Sequence, residues 1–323
     1  MKGITRLCTT TLLGATLALS AGFASADVAK VAVSQIVEHP ALDATRKGLY
    51  DGLIELGYVD GETLSFDYQT AQGNPAIAVQ IAKQFVGQQP DVLVGIATPS
   101  AQALASSTKN LPVVFTAVTD PVGANLVTQL EQPGGNVTGL SDLSPVGQHV
   151  ALMAEIVPEL KSIGVVYNPG EANSVALVDL LKAAATERGV EVVEATVLKS
   201  SEVLSAAQIV GSKTDVIYAP TDNTVASAID ALVIGATQAK TPIVGAETSY
   251  VDSGALAALG FDYYQVGVQT AAYVDAILKG TPAGELDVKV AVGSDLAINK
   301  AQADKLGLTL PAAVLERATT IKE

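Results

Sequence analysis

The chain reads as an α/β protein built from two similar doubly wound parallel-sheet lobes, joined at a hinge and separated by a cleft. Three observations lead there. Short apolar runs alternate with longer stretches of helical periodicity, the mark of strand-helix units in a parallel sheet. The alternation lapses in a breaker-rich stretch from Glu131 to Pro145 and then restarts in the same order. And 323 residues suit two domains of roughly 150 residues each.

The chain opens with Lys2 and Arg6, continues through an uncharged run from Leu7 to Phe23, and reaches Ala24-Ser25-Ala26. A basic start, an apolar middle and a small-residue cleavage motif predict an export signal over residues 1–26, cleaved after Ala26, and a periplasmic mature protein. Cys8 lies too near the start to be a lipoprotein cysteine. It is the one cysteine in the chain. The exported part therefore has no disulfide framework, no Cys-ligated metal and no thiol nucleophile. A formal net charge of −14, made more negative by loss of Lys2 and Arg6, repels phosphate backbones and argues against nucleic acid as a partner.

From Val28 the elements follow in order. Val31 to Ser34 is a strand, and His39-Pro40 opens a helix whose Leu42, Leu49, Leu53 and Leu56 share a face before Gly57 ends it. A strand from Leu64 to Tyr68 comes next, then a helix with Ile77, Ile81 and Phe85 in register. The strand Val92 to Ile96 runs into Thr98-Pro99-Ser100, where Thr98 suits the N-cap and Pro99 the first helical position. Val113 to Val118 closes the first set. After the irregular stretch a helix starts at Pro145. Strands are expected at 163–167, 190–196, 216–218 and 243–244, with helices at 174–188, 203–211 and 224–239. The tail adds a strand at 255–261, a helix at 266–278, a strand at 288–292 and a helix near Lys300. Completing each lobe from this tail predicts lobe 1 from 27–142 plus 251–282 and lobe 2 from 143–250 plus 283–323.

Ligands of open parallel sheets sit beyond the carboxyl ends of the strands, so the residues after each strand are the candidate site. In the first half these are Ser34 and Gln35, then Thr98 and Ser100, then Thr119 and Asp120. In the second half they are Asn168, then Asp222 and Asn223, then Glu247 and Tyr250. Hydroxyls dominate the first set, and carboxylates and amides the second. That division fits a zwitterionic amino acid. The helix-start amides with Thr98, Ser100 and Thr119 suit its carboxylate, Asp222 or Glu247 its ammonium, and Tyr250 an apolar side chain. Simpler readings stand beside these: Asp120-Pro121 as a turn, Asp222 and Asn173 as helix caps, His39 as a loop residue before Pro40.

His39 and His149, the two histidines, are too few and too far apart to suggest a metal site, and no cofactor motif is present. The chain has no nucleophile elbow, phosphate loop or zinc-protease motif, and 4% aromatics without Trp do not signal an aromatic-lined glycosidase cleft. Binding is favoured over catalysis.

Six segments, taken together, resemble the ABC-transporter substrate-binding proteins of the tryptophan/aromatic amino acid type. They are Gly48-Leu-Tyr-Asp-Gly-Leu-Ile-Glu-Leu-Gly-Tyr58, Ile96-Ala-Thr-Pro-Ser-Ala-Gln-Ala-Leu104, Phe115-Thr-Ala-Val-Thr-Asp-Pro-Val-Gly123, Val166-Tyr-Asn-Pro-Gly-Glu-Ala-Asn-Ser174, Pro220-Thr-Asp-Asn-Thr224 and Leu259-Gly-Phe-Asp-Tyr-Tyr264. The resemblance runs from about residue 30 to residue 311. It implies a type I periplasmic binding fold, hinge closure around a small solute, and delivery to a membrane permease by a monomer. By position, Thr98, Ser100, Thr119, Asn168, Asp222, Asn223 and Glu247 match pocket-forming segments. The solute is then an aromatic amino acid, with a branched-chain amino acid or a purine-like compound as alternatives, and a sensing module for a membrane receptor as the alternative role.

Overall fold

The computed structural model describes residues 28–323. The export signal expected over 1–26 and its cleavage after Ala26 lie outside the described residues. The first half runs β1 (Ala29–Gln35), α1 (Pro40–Glu55), β2 (Leu64–Thr70), α2 (Pro75–Gln88), β3 (Val92–Ile96), α3 (Thr98–Ser107), β4 (Val113–Val118) and β5 (Val137–Ser141). The second runs α4 (Val146–Ile156), β6 (Ser162–Tyr167), α5 (Ala172–Thr186), β7 (Glu191–Thr196), α6 (Val203–Gly211), β8 (Val216–Ala219), α7 (Asn223–Ala226), α8 (Ile229–Ala239), β9 (Ile243–Gly245) and α9 (Tyr250–Ser253). The tail holds β10 (Ala257–Gly260), α10 (Tyr263–Leu278), β11 (Lys289–Val290), β12 (Asp295–Asn299), α11 (Lys300–Leu306), α12 (Ala312–Arg317) and β13 (Thr320–Lys322).

Two sheets result, in the orders β11-β5-β4-β3-β1-β2 and β13-β12-β10-β9-β8-β6-β7. The first five strands of each half, counted within that half, fall in the same order, 2-1-3-4-5, and pair in parallel. The order reverses beside β1 and β3 in one lobe and beside β6 and β8 in the other, so each lobe opens a crevice at that edge. Central strands β3 and β4 are buried along their whole length, as strands covered by helices on both faces must be. Phe85, Phe115, Leu49, Leu53 and Leu104 are fully buried around them, each contributing about 1.5–3 kcal/mol.

Three expectations are corrected. The breaker-rich stretch 131–145 contains β5, which pairs with β4 from Val113↔Val137 to Val118↔Ser141 across a bulge; a five-residue strand with an internal glycine at φ +156 carries little periodicity to read. The helix expected over 224–239 is broken into α7 and α8, because Asp222 caps a first turn that stops at Ser227. The tail boundaries also shift by one element. β10 pairs with β9 (Ala257↔Val244) and β12, so residues 257–260 belong to the second sheet. β11 pairs with β5 (Lys289↔Leu140) and stays with the first. The chain therefore crosses between lobes after β5, between β10 and α10, and between β11 and β12.

Helix α10 returns to lobe 1 and packs closely on α1. A Cβ on Gly267 would lie 2.0 Å from the carbonyl oxygen of Thr45, and one on Gly48 2.0 Å from that of Tyr264. Glycine at both positions lets the backbones approach. Gly267→Val is expected to part the helices and destabilise lobe 1 by about 1–3 kcal/mol, read as a lower midpoint in urea.

Candidate functional site

The residues following β1, β3, β4, β6, β8 and β9 converge where the two crevices face each other. Thr98 and Ser100 are buried at the amino end of α3. The helix starts one residue earlier than expected: Ala97 is the N-cap and Thr98 the first helical residue. Ala97 has φ +72 and ψ 156, a region nearly reserved for glycine that costs about 1–3 kcal/mol. Its N–H donates to Thr116 O at 3.0 Å and its carbonyl accepts from Ala101 N at 3.1 Å, which hold the turn in place. Ala117, at the matching end of β4, also has positive φ, +53. The two strained alanines flank the hydroxyls of Thr98 and Thr119. Thr98 Oγ1 is buried without a partner, and Thr119 Oγ1 donates to Asp142 Oδ1 at 3.3 Å.

The other lobe-1 candidates divide. Ser34 Oγ lies 3.5 Å from Ser100 Oγ. Gln35 Nε2 donates to Val37 O and Asp43 Oδ1, each at 2.9 Å, while its Oε1 has no partner. Asp120 is a turn: its Oδ1 accepts from Gly123 N at 2.8 Å and it is half-buried. The structure does not bring it to the cavity between the lobes.

On lobe 2, Asp222 is fully buried and its carboxylate is fully engaged. It accepts from Asn168 N and Ser174 Oγ at 2.6 Å each and, as cap of α7, from Val225 N at 2.8 Å. Burial, and then the neighbouring Glu171 charge, push its pKa up to about 7. Asp222 thus ties the loops after β6 and β8 together. Asn168 belongs to the same tie, with Nδ2 donating to Thr224 Oγ1. Sequence reasoning missed Glu171, the second clamp: it accepts from the backbone and side chain of Asn223 at 3.1 and 2.6 Å, and from Thr224 N and Oγ1. Only its neighbours Asn173 and Asn168 carried a signal.

Glu247 is the exposed end of this arrangement in chemical terms, although it is buried from solvent. Its Oε1 lies 3.0 Å from Tyr250 Oη, while Oε2 has no hydrogen-bond partner. Burial pushes its pKa up to about 8. Tyr250 does not stack on a solute, as expected from sequence: its ring is fully buried behind Glu247, and Oη also lies 3.2 Å from Pro220 O. Across the cleft stands His39, in the loop before Pro40 as expected but buried and facing lobe 2. Its Nδ1 is 3.9 Å from Glu247 Oε2, and burial lowers its pKa to about 4, so the ring is neutral. Asn173, expected as a cap, instead lies inside α5, whose N-cap is Glu171, with its Oδ1 buried and unpartnered at the same place. His149 sits apart in the core, held between Tyr218 Oη and Leu259 O.

His39, Thr119, Asp142, Asn173, Thr221 and Glu247 line a cavity of about 10 Å³, room for one water. Outside it a groove of about 1220 Å³ runs between the lobes past Pro99, Gln102, Asn168, Glu171 and Asn223. The floor is acidic and contains no Lys or Arg. Unpaired buried polar atoms each cost about 1–3 kcal/mol, and five residues here carry them: His39, Thr98, Asn173, Thr221 and Glu247. A solute bearing both donors and acceptors would satisfy them.

Two sheets of this order, three crossings and a polar seat between them define a two-lobed solute-binding protein with the type I periplasmic binding fold. The chain belongs to the ABC transporter substrate-binding protein family, whose model matches residues 30–322. Members of this family bind small solutes and work with transporter permeases. The chain is 40% identical to a tyrosine-binding protein of Clostridioides difficile, over 84% of this chain and 78% of that one. A Vibrio cholerae protein of known structure is 69% identical and superposes with a TM-score of 0.91, covering 92% of this chain and 100% of that one. A Streptococcus pneumoniae domain in complex with L-Trp is 40% identical, with a TM-score of 0.88 over 91% of this chain and 100% of that one. A ligand-free, open substrate-binding protein from Clostridium difficile is equally distant in sequence, 39%, yet its TM-score is 0.69 over 91% of this chain and 99% of that one. The chain superposes better on the tryptophan complex than on this open, ligand-free protein.

Proposed function

We propose that this chain is the periplasmic, monomeric receptor that carries an aromatic amino acid to the permease of its transporter. Glu247 Oε2 takes the ammonium. The amino end of α3, with the hydroxyls of Thr98 and Ser100, and Thr119 take the carboxylate. Asn223 borders the same space, Ser34 and Gln35 lie buried behind it at the end of β1, and Asp222 with Asn168 ties together the loops after β6 and β8. The observation that carries this reading is the buried, unpartnered Glu247 oxygen in an inner cavity lined by no Lys or Arg. A carboxylate so placed is stabilised by a charge that the solute brings. The amides of a helix start and the unpartnered Thr98 hydroxyl supply the anion seat without one. The tyrosine and tryptophan bound by the two relatives fit both halves of this set.

Calorimetric titration with L-tyrosine, L-tryptophan and L-phenylalanine, beside leucine and adenine, tests it. One aromatic amino acid is expected to bind at one site per chain and to raise the melting temperature. Ligand at 100 times its Kd adds about 2.7 kcal/mol of stability. Binding of leucine or adenine in place of every aromatic amino acid would overturn the reading.

A further inference from the structure

We propose that His39 contacts the solute: with Glu247 Oε2 and Asn173 Oδ1 it forms a three-acceptor cradle that selects a primary ammonium, assembled only when the lobes close. The inference rests on the amino-acid reading above and names the part of the solute that triggers closure. A primary ammonium has three N–H donors and no acceptor. Glu247 Oε2, His39 Nδ1 and Asn173 Oδ1 are all buried, all without a partner, and line one cavity.

The spacing fits. At 3.9 Å, His39 Nδ1 and Glu247 Oε2 are too far apart to bond each other. A nitrogen about 2.8 Å from each, the length of a charge-assisted bond, fits between them. Burial keeps the imidazole neutral, with its pKa down to about 4, so one ring nitrogen retains a lone pair at neutral pH. Asn173 Nδ2 donates to Thr221 O at 3.0 Å, which leaves its carbonyl oxygen as the free end. The three come from different bodies. His39 precedes α1 in lobe 1, with an extended backbone and no capping bond from its side chain, so the helix does not require it. Glu247 follows β9 and Asn173 lies in α5, both in lobe 2. An open lobe 2 offers two acceptors and closure adds the third.

A primary ammonium satisfies all three. An N-methylated amine leaves one acceptor buried and unpaired, and a solute without the amine leaves three, so closure discriminates where either lobe alone does not. The test uses L-tyrosine, N-methyl-L-tyrosine and 3-(4-hydroxyphenyl)propanoate. Each is titrated calorimetrically into the wild type, His39→Ala and His39→Gln, with small-angle scattering to follow contraction.

The wild type is expected to bind N-methyl-L-tyrosine about 10- to 100-fold more weakly than L-tyrosine, and to contract with L-tyrosine alone. His39→Ala is expected to lose a similar factor for L-tyrosine and most of the discrimination. His39→Gln, whose amide oxygen is again an acceptor, recovers part of both. His39→Ala binding L-tyrosine as tightly as the wild type, with undiminished discrimination, overturns this inference alone. A wild type that binds no aromatic amino acid overturns the amino-acid reading and this inference with it.

Discussion

Glu247→Gln is expected to lower affinity for the aromatic amino acid by two to three orders of magnitude while making the unliganded protein more stable. The carboxylate is the acceptor assigned to the solute's ammonium, in a buried cavity shielded from bulk solvent. Removing one member of a buried charge pair costs about 2–5 kcal/mol, most of it because the other charge is left unpaired. In the unliganded protein the sign reverses. Glu247 is buried with one oxygen unpartnered, and burial raises its pKa from 4.5 to about 8. The folded state therefore keeps a proton that the unfolded chain releases, and stability from this group falls as pH rises from 4.5 through 8.

Asp222, raised to about 7, slopes the same way. His39 and His149, lowered from 6.5 to about 4, slope the opposite way, but only below pH 6.5. Between pH 6.5 and 8 the acids act alone, so the melting temperature of the unliganded wild type should fall across that window. In Glu247→Gln most of the fall should disappear. A variant that binds as well as wild type and melts with the same pH profile would remove Glu247 from the account.

Affinity itself should rise with pH, by up to about tenfold per unit between pH 6 and 8, and level off above. The ammonium pairs with a carboxylate, whereas the unliganded site holds a carboxylic acid until about pH 8. Binding near pH 7 must therefore expel a proton. Titrations in phosphate and in Tris, buffers of very different ionisation enthalpy, should differ in observed heat by an amount approaching one proton per solute. Equal heats in both buffers and a flat affinity profile would mean that Glu247 already carries its charge in the unliganded cleft. Because the solute's own ammonium stays protonated throughout this range, the slope reports the protein.

The alternation of strands and helices was legible because buried parallel strands such as Val92–Ile96 and Val113–Val118 are continuous apolar runs between periodic helices. The rule that ligands sit beyond strand ends singled out Thr98, Ser100, Thr119, Asn223 and Glu247, all of which the structure buries. Elements held by pairing alone escaped. β5 lies among glycines, and β13 is three exposed residues defined by their pairing with β12. The roles of the acids were also beyond the sequence. Asp222 and Glu247 occupy similar places after neighbouring strands, but Asp222 is surrounded by donors from Asn168, Ser174 and Val225, while Glu247 keeps one oxygen free. Only the three-dimensional count of donors separates a fully bonded clamp from an acid with a free oxygen. His39 is the loop residue expected, but its burial against Glu247 of the other lobe was beyond the sequence.

The most direct test of the central claim is a crystal structure of the chain with L-tyrosine. The account predicts the amine nitrogen within hydrogen-bond distance of Glu247 Oε2 and the carboxylate on the amino end of α3, between closed lobes. Density for the amino acid in the outer groove, or with its carboxylate turned toward Glu247, would contradict it.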